Sequence, residues 1–256
     1  MKGHRLFIAV FACALTIQAS AQKEDERSSW KGDELPLLFQ VSTLDALSQG
    51  VFEGSYSVGQ LKRQGDFGVG TYDGLNGEMV VLDGHVYHAY ADGTTKEAGD
   101  NELAPFAAVT FFKPQYSFTL TGKTMAEIST ALTSQLPSAN LSYAIKITGA
   151  FTTLQTRAIA KQTMPYPTLV VASAGEVVFN YNDVEGTAVV LRGPAFEKGI
   201  NVVGDHFHFV SKDHTKAGHV LALTTGTVKV EVMVLPQTTL WLPLNKYFLN
   251  ATLPYN

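Results

Sequence analysis

The second half of the chain is crowded with short β-prone runs, and this limits the folds open to it. "TLVVA" (168–172), "TAVVL" (187–191), "HFHFV" (206–210), "HVLAL" (219–223) and "TVKVEVMV" (227–234) follow at short intervals, separated by turn-forming residues. The first half adds "YAIKITGAF" (143–151), which alternates like a half-buried strand. It also holds "NGEMVVLDGHVYHAYADG" (76–93), where Asn76-Gly77, Asp83-Gly84 and Asp92-Gly93 punctuate two strand-like runs as hairpin turns do. Helices are few. "STLDALSQG" (42–50) reads as a short helix with Ser42 as N-cap and Gly50 as its stop, and "SVGQLKRQG" (57–65) repeats that grammar. The clearest helix is "TMAEISTALTSQLP" (124–137). Thr124 and Glu127 form a capping box, Met125, Ile128, Leu132 and Leu136 form one stripe, and Pro137 ends it. The expectation is an α/β (mixed α+β) fold of two subdomains, built on mixed β-sheets with a few short helices. "MPYP" (164–167) predicts the boundary, giving an N-terminal mixed-sheet domain over 37–165 and a C-terminal domain over 166–256.

The chain opens with a targeting pattern. Lys2 and Arg5 precede the apolar run "LFIAVFACALTI" (6–17), and Ala19-Ser20-Ala21 is a small-x-small cleavage site before Gln22. The run is too short to span a bilayer comfortably, so residues 1–21 read as a cleaved signal peptide, with no stable membrane anchor and an exported product. "KEDERSSWKGDELP" (23–36) reads as a polar, exposed leader within the segment 22–36. Cys13 is the only cysteine, so the mature protein has no disulfide and no thiol chemistry. Cleavage moves the formal charge from −4 to −6. With no basic cluster to offset that charge, nucleic acid is excluded as a partner.

"GDHFHFVSKDHTKAGHVL" (204–221) gathers four of the seven histidines. In a strand, residues i and i+2 share a face, so His206 and His208 project side by side while Phe207 and Phe209 pack on the other side. The turn-rich "VSKDHTKAG" then lets "HVLAL" return as a second strand, which brings His219 beside the first pair. Three histidines with open positions are the form of a catalytic Zn²⁺ site, placed here in the C-terminal half. The competing reading is a set of half-buried polar residues on a strand. His214 sits in the turn and reads as exposed. His85 and His88 are three apart on a hairpin, face opposite sides, and read as structural or surface residues. Asp213 lies near the place of a cupin carboxylate, but the glycine spacing does not follow that pattern. "GVGTYDG" (68–74) lacks the spacing of a dinucleotide loop and precedes a hairpin.

Several blocks in order resemble the α-acetolactate decarboxylase family: "LFQVSTLDALSQGVFEG" (38–54), "GDFGVGTYDGLNGEM" (65–79), "TRAIAKQTMPYP" (156–167) and the histidine block. The resemblance implies a two-domain α/β fold and a homodimer. It implies conversion of 2-acetolactate to acetoin and CO₂ with zinc, held by His206, His208 and His219. Loss of CO₂ leaves an electron pair that the ketone must take up, for which zinc serves as Lewis acid. Glu78, in Gly-Glu-Met, matches a family glutamate that is a ligand or a proton-handling group. Arg157 matches an active-site arginine able to grip an anion with two parallel donors. Thr71 matches a pocket threonine with a hydrogen-bonding role. Aligned on "LWLP" (240–243), a second family glutamate falls on Gln237, which cannot carry charge or shuttle a proton. Gln237 is therefore expected in the pocket. Two alternatives stay open: a secreted zinc lyase or hydrolase with another substrate, and a metal-binding relative without turnover.

Overall fold

We describe the protein from a computed structural model covering residues 35–254; the predicted signal peptide and nearly all of the leader lie outside the described residues. Residues 36–254 belong to one compact unit. Its larger sheet has seven strands in the order β14-β1-β8-β3-β4-β5-β6. These are β1 (Leu37–Val41), β3 (Phe67–Thr71), β4 (Glu78–Leu82), β5 (His85–Ala89), β6 (Thr95–Glu97), β8 (Phe106–Thr110) and β14 (Gln237–Trp241). The second sheet joins β9 (Tyr116–Thr121), β10 (Ser142–Ala158), β11 (Val177–Gly193), β12 (Gly204–Ser211) and β13 (Ala217–Leu235). Because β13 pairs with β10 as well as β12, the strands β10 to β13 close on themselves. A small ladder pairs β2 (Tyr56–Ser57) with β7 (Leu103–Ala104).

The sheets do not divide at residue 165. β9 and β10 come from before that point, yet they hydrogen-bond with the strands that follow it, and β14 crosses back to pair with β1. "MPYP" is a connection between elements of one body rather than a linker. The reason is the length of β10 and β11, 17 residues each, which pair almost end to end and leave no seam for a boundary.

Both faces of the larger sheet are buried. Along β4, Val80 and Leu82 face the second sheet in a core shared with Ala144, Val189, Leu191 and Met233. Met79 and Val81 face the other way, toward Phe39, Tyr56, Val58 and Leu61. The period of two therefore assigns Glu78 to the side of the second sheet and His88 of β5, with Val86, to the side away from it. The Asp83-Gly84 turn between β4 and β5 has positive φ at both residues (51° and 84°), the geometry of a tight hairpin.

Among the described residues, five short α-helices decorate this frame: α1 (Leu44–Ser48), α2 (Val58–Leu61), α3 (Met125–Gln135), α4 (Leu169–Ser173) and α5 (Lys246–Leu249). The capping box of Thr124 and Glu127 opens α3, and Ile128 and Leu132 are its buried face. For α1 the cap is Thr43 rather than Ser42, which sits buried at φ 64°. α4 is a correction: "TLVVA" is helical, not a strand. Ala172 is buried while Val170 and Val171 are exposed, an arrangement that four apolar letters in a row cannot distinguish from a strand. Among the described residues no helix is long and apolar enough to cross a membrane.

Candidate active site

Strand register assembles the histidines. His208 of β12 stands opposite His219 of β13, and His219 stands opposite Arg157 of β10, so the three form one row across neighbouring strands. His206 joins the row's face two residues before His208. Phe207 and Phe209 point away and are buried, Phe209 edge-on to Phe151 at 5.2 Å between ring centres.

The three rings meet at their nitrogens. His206 Nε2 is 3.1 Å from His208 Nε2 and 3.2 Å from His219 Nδ1, and the candidate ligand atoms lie within 4.8 Å of one another. His208 Nδ1 lies 2.8 Å from the Met79 carbonyl, an acceptor only, so it donates there and leaves Nε2 as a lone pair aimed at the cluster. Burial pushes His206 down to about 4, helped by the Arg157 charge. Burial also holds His208 and His219 well below the usual histidine range. Neutral, buried rings with their nitrogens gathered at one point could hold a metal ion, and this donor set fits a Zn²⁺ bound by three nitrogens.

The cluster opens into a cavity of about 130 Å³ between the two sheets. Glu78, at the start of β4, is its one carboxylate among the described residues, with Oε2 3.8 Å from His208 Nε2. Burial raises the Glu78 carboxyl to about 7; Arg157 pulls it down and Glu176 pushes it up, both more weakly. Arg157 also lines the cavity, as does an apolar wall that includes Leu44, Leu75, Phe106 and Leu169. Thr71 stands opposite Glu78 on β3, and its hydroxyl donates to the Gly77 carbonyl at 2.7 Å, so it fixes the turn that leads into Glu78.

The structure thus brings together six of the seven residues singled out in the sequence and excludes the seventh. Gln237 is exposed at the start of β14, opposite Leu37, and does not line the cavity. β14 is the outer strand of the larger sheet and β8, whose Phe106 makes it the nearest strand lining the cavity, is two places in. At about 4.8 Å per strand that is roughly 10 Å. Sequence reading missed Glu176, whose carboxylate lies 3.1 Å from the Arg157 guanidinium. Glu176 precedes β11 with no motif around it, so only the pairing of β10 with β11 could have shown it.

Comparison with known proteins decides the family. The pattern of alpha-acetolactate decarboxylase matches residues 38–255, almost all of the described chain. The chain belongs to the alpha-acetolactate decarboxylase family. It is 39% identical over 221 residues to the alpha-acetolactate decarboxylase of Methanosarcina mazei, covering 86% of this chain and 77% of that one. It is 35% identical over 224 residues to that of Bacillus subtilis, covering 87% and 88%. The crystal structure of the Bacillus subtilis alpha-acetolactate decarboxylase superposes with a TM-score of 0.83 at 34% identity, over 84% of this chain and 93% of that one. The mixed sheets with few helices are therefore those of this family of carboxy-lyases.

Proposed function

We propose that this family member converts 2-acetolactate to acetoin and CO₂, with Zn²⁺ held by His206, His208 and His219. The observation that carries the reading is the convergence of three neutral histidine nitrogens, a buried carboxyl and an arginine on one small cavity. Bound there, zinc supplies a Lewis acid for the ketone oxygen that takes up the electron pair when the carbon–carboxylate bond breaks. Arg157 offers two parallel donors to the substrate's carboxylate and orients it. Glu78, protonated up to about pH 7, gives its proton to the carbon that loses CO₂. Its fixed place on one side of the cavity makes delivery one-faced and the product chiral. Thr71 keeps the turn before Glu78 in place, and the apolar wall excludes water. Among the described residues no second carboxylate lines the cavity, so Glu78 is the acid that donates, and it regains its proton from solvent before the next turnover.

The test is acetoin formation from racemic 2-acetolactate by purified, zinc-loaded protein. Acetoin at enzymatic rates is the expected result; bound zinc without acetoin would identify a metal-binding relative or a lyase with another substrate. Export rests on the pattern of residues 1–21, and a homodimer on the family resemblance. Both belong to the same proposal and are checked by fractionating cells and by sedimentation.

A further inference from the structure

The turn that delivers Glu78 is held from both faces of the sheet. Leu75 and Gly77 take positive φ, 57° and 78°. Leucine keeps such a conformation only where its surroundings impose it. At Gly77 a side chain would run into the Ala89 carbonyl. Two contacts come from the cavity wall: Thr71 Oγ1 donates to the Gly77 carbonyl at 2.7 Å, and the Gly77 amide donates to the Ile159 carbonyl at 2.8 Å. The third comes from the opposite face, where His88 Nε2 lies 2.5 Å from the Asn76 carbonyl.

His88 is only 1% exposed. Its ring is stacked between Tyr72 at 3.6 Å and Tyr90 at 3.7 Å, nearly parallel to both. Its Nδ1 lies 2.8 Å from Glu102 Oε2, while the other Glu102 oxygen accepts from the Gly99 amide. Lys96, opposite His88 on β6, sits over the Tyr90 ring at 5.8 Å. Both nitrogens of His88 therefore face oxygens that accept. A neutral imidazole and a carboxylate share one proton between two such contacts, which leaves one contact as lone pair against lone pair. Both contacts are hydrogen bonds only when each carries a proton, two in all. Burial holds the imidazole below its ordinary range, against weaker upward pulls from the Asn76 carbonyl and Glu102. The faces of two tyrosines favour the charged ring.

We propose that His88 is a positioning residue for Glu78: with Glu102 it forms a two-proton clamp on the Asn76 carbonyl, and this clamp sets how Glu78 enters the cavity. The proposal rests on the reading of Glu78 as the proton donor. His88 itself touches neither the substrate cavity nor the three-histidine cluster.

The test uses zinc-loaded full-length protein. In His88→Leu, kcat for acetoin formation should fall by about 10- to 100-fold, the scale of a displaced reacting group. KM and zinc content should stay within about twofold, which a merely structural role would not produce. His88→Gln, whose amide reaches the carbonyl without titrating, should recover most of the loss. A His88→Leu variant with wild-type kcat overturns the proposal. So does one that loses zinc in step with activity, and so does a His88→Gln variant as slow as His88→Leu. Nitrogen NMR of wild-type His88 reads the clamp without activity: both ring nitrogens should be engaged with a proton at about pH 7, and a bare Nδ1 overturns the clamp. If wild type forms no acetoin, the decarboxylase reading fails, and the NMR result still decides the proton count.

Discussion

The β4–β5 hairpin has histidines on either side of it, in opposite chemical settings. On the side of the second sheet, His206, His208 and His219 turn ring nitrogens on one another, 3.1 and 3.2 Å apart. On the far side, His88 turns both nitrogens on oxygens, at 2.8 and 2.5 Å. His88 and His208 are equally buried. What separates them is the partner: nitrogens converging on one point can share a cation, and nitrogens facing oxygens ask for protons. Glu78 stands where the two meet, in van der Waals reach of the first group and on a turn clamped by the second.

Metal content breaks or confirms that contrast with the largest effect. His206→Ala or His208→Ala should lose most bound zinc and bring acetoin formation to background, since two nitrogen ligands seldom hold Zn²⁺ tightly. His88→Leu should keep its zinc. Equal zinc in all of these variants would erase the distinction. Next comes Glu78→Gln, which removes the proton but keeps the shape: kcat should fall by about 10²–10⁴-fold with zinc retained. Near-normal turnover would leave Glu78 a spectator. Arg157→Lys keeps the charge and loses the two-pronged grip, so kcat/KM should fall by roughly 10- to 100-fold with folding unchanged. Steady-state kinetics with far-ultraviolet circular dichroism measure both.

A smaller effect concerns stability without metal. His206 is held near 4 by burial and its two neighbours lie well below the usual range, whereas the unfolded chain takes up protons near 6.5. Between about pH 6.5 and 4 the three histidines bind more protons in the unfolded state, so their stabilisation rises with pH and is lost as pH falls; Glu78, raised to about 7 in the fold, opposes this with one proton against three. Each unit costs up to about 1.4 kcal/mol per histidine. The urea midpoint of chelator-treated protein should therefore drop on going from about pH 7 to pH 5. A flat profile would mean that the rings are protonated in the fold. The smallest effect is expected at Gln237: because it is exposed on β14, Gln237→Glu should leave rate and pH profile unchanged.

Local patterns made much of this legible. Alternation in "HFHFV" fixed which residues share a face, and a turn followed by "HVLAL" was enough to bring His219 back to the pair. The capping box of α3 and the Asp-Gly hairpin read directly, because both are settled within a few residues. What did not read was decided at a distance. The seam at 165 vanished because β10 and β11 pair along their whole length. "TLVVA" became a helix because α4 buries only Ala172 and leans Leu169 on the cavity. Gln237 was aligned by neighbouring letters, while its place was set by the parallel pairing of β14 with the sheet edge. His88 looked structural, and only its two oxygen partners give it a further use.

The most direct measurement is a zinc titration of metal-stripped protein with acetoin formation followed alongside, for wild type and His208→Ala. Activity absent from the stripped wild type should return in proportion to zinc bound and saturate near one ion per chain, about what a single three-histidine site holds. His208→Ala should not recover. Full acetoin formation by the stripped wild type, or recovery of His208→Ala to wild-type rates, would contradict the account.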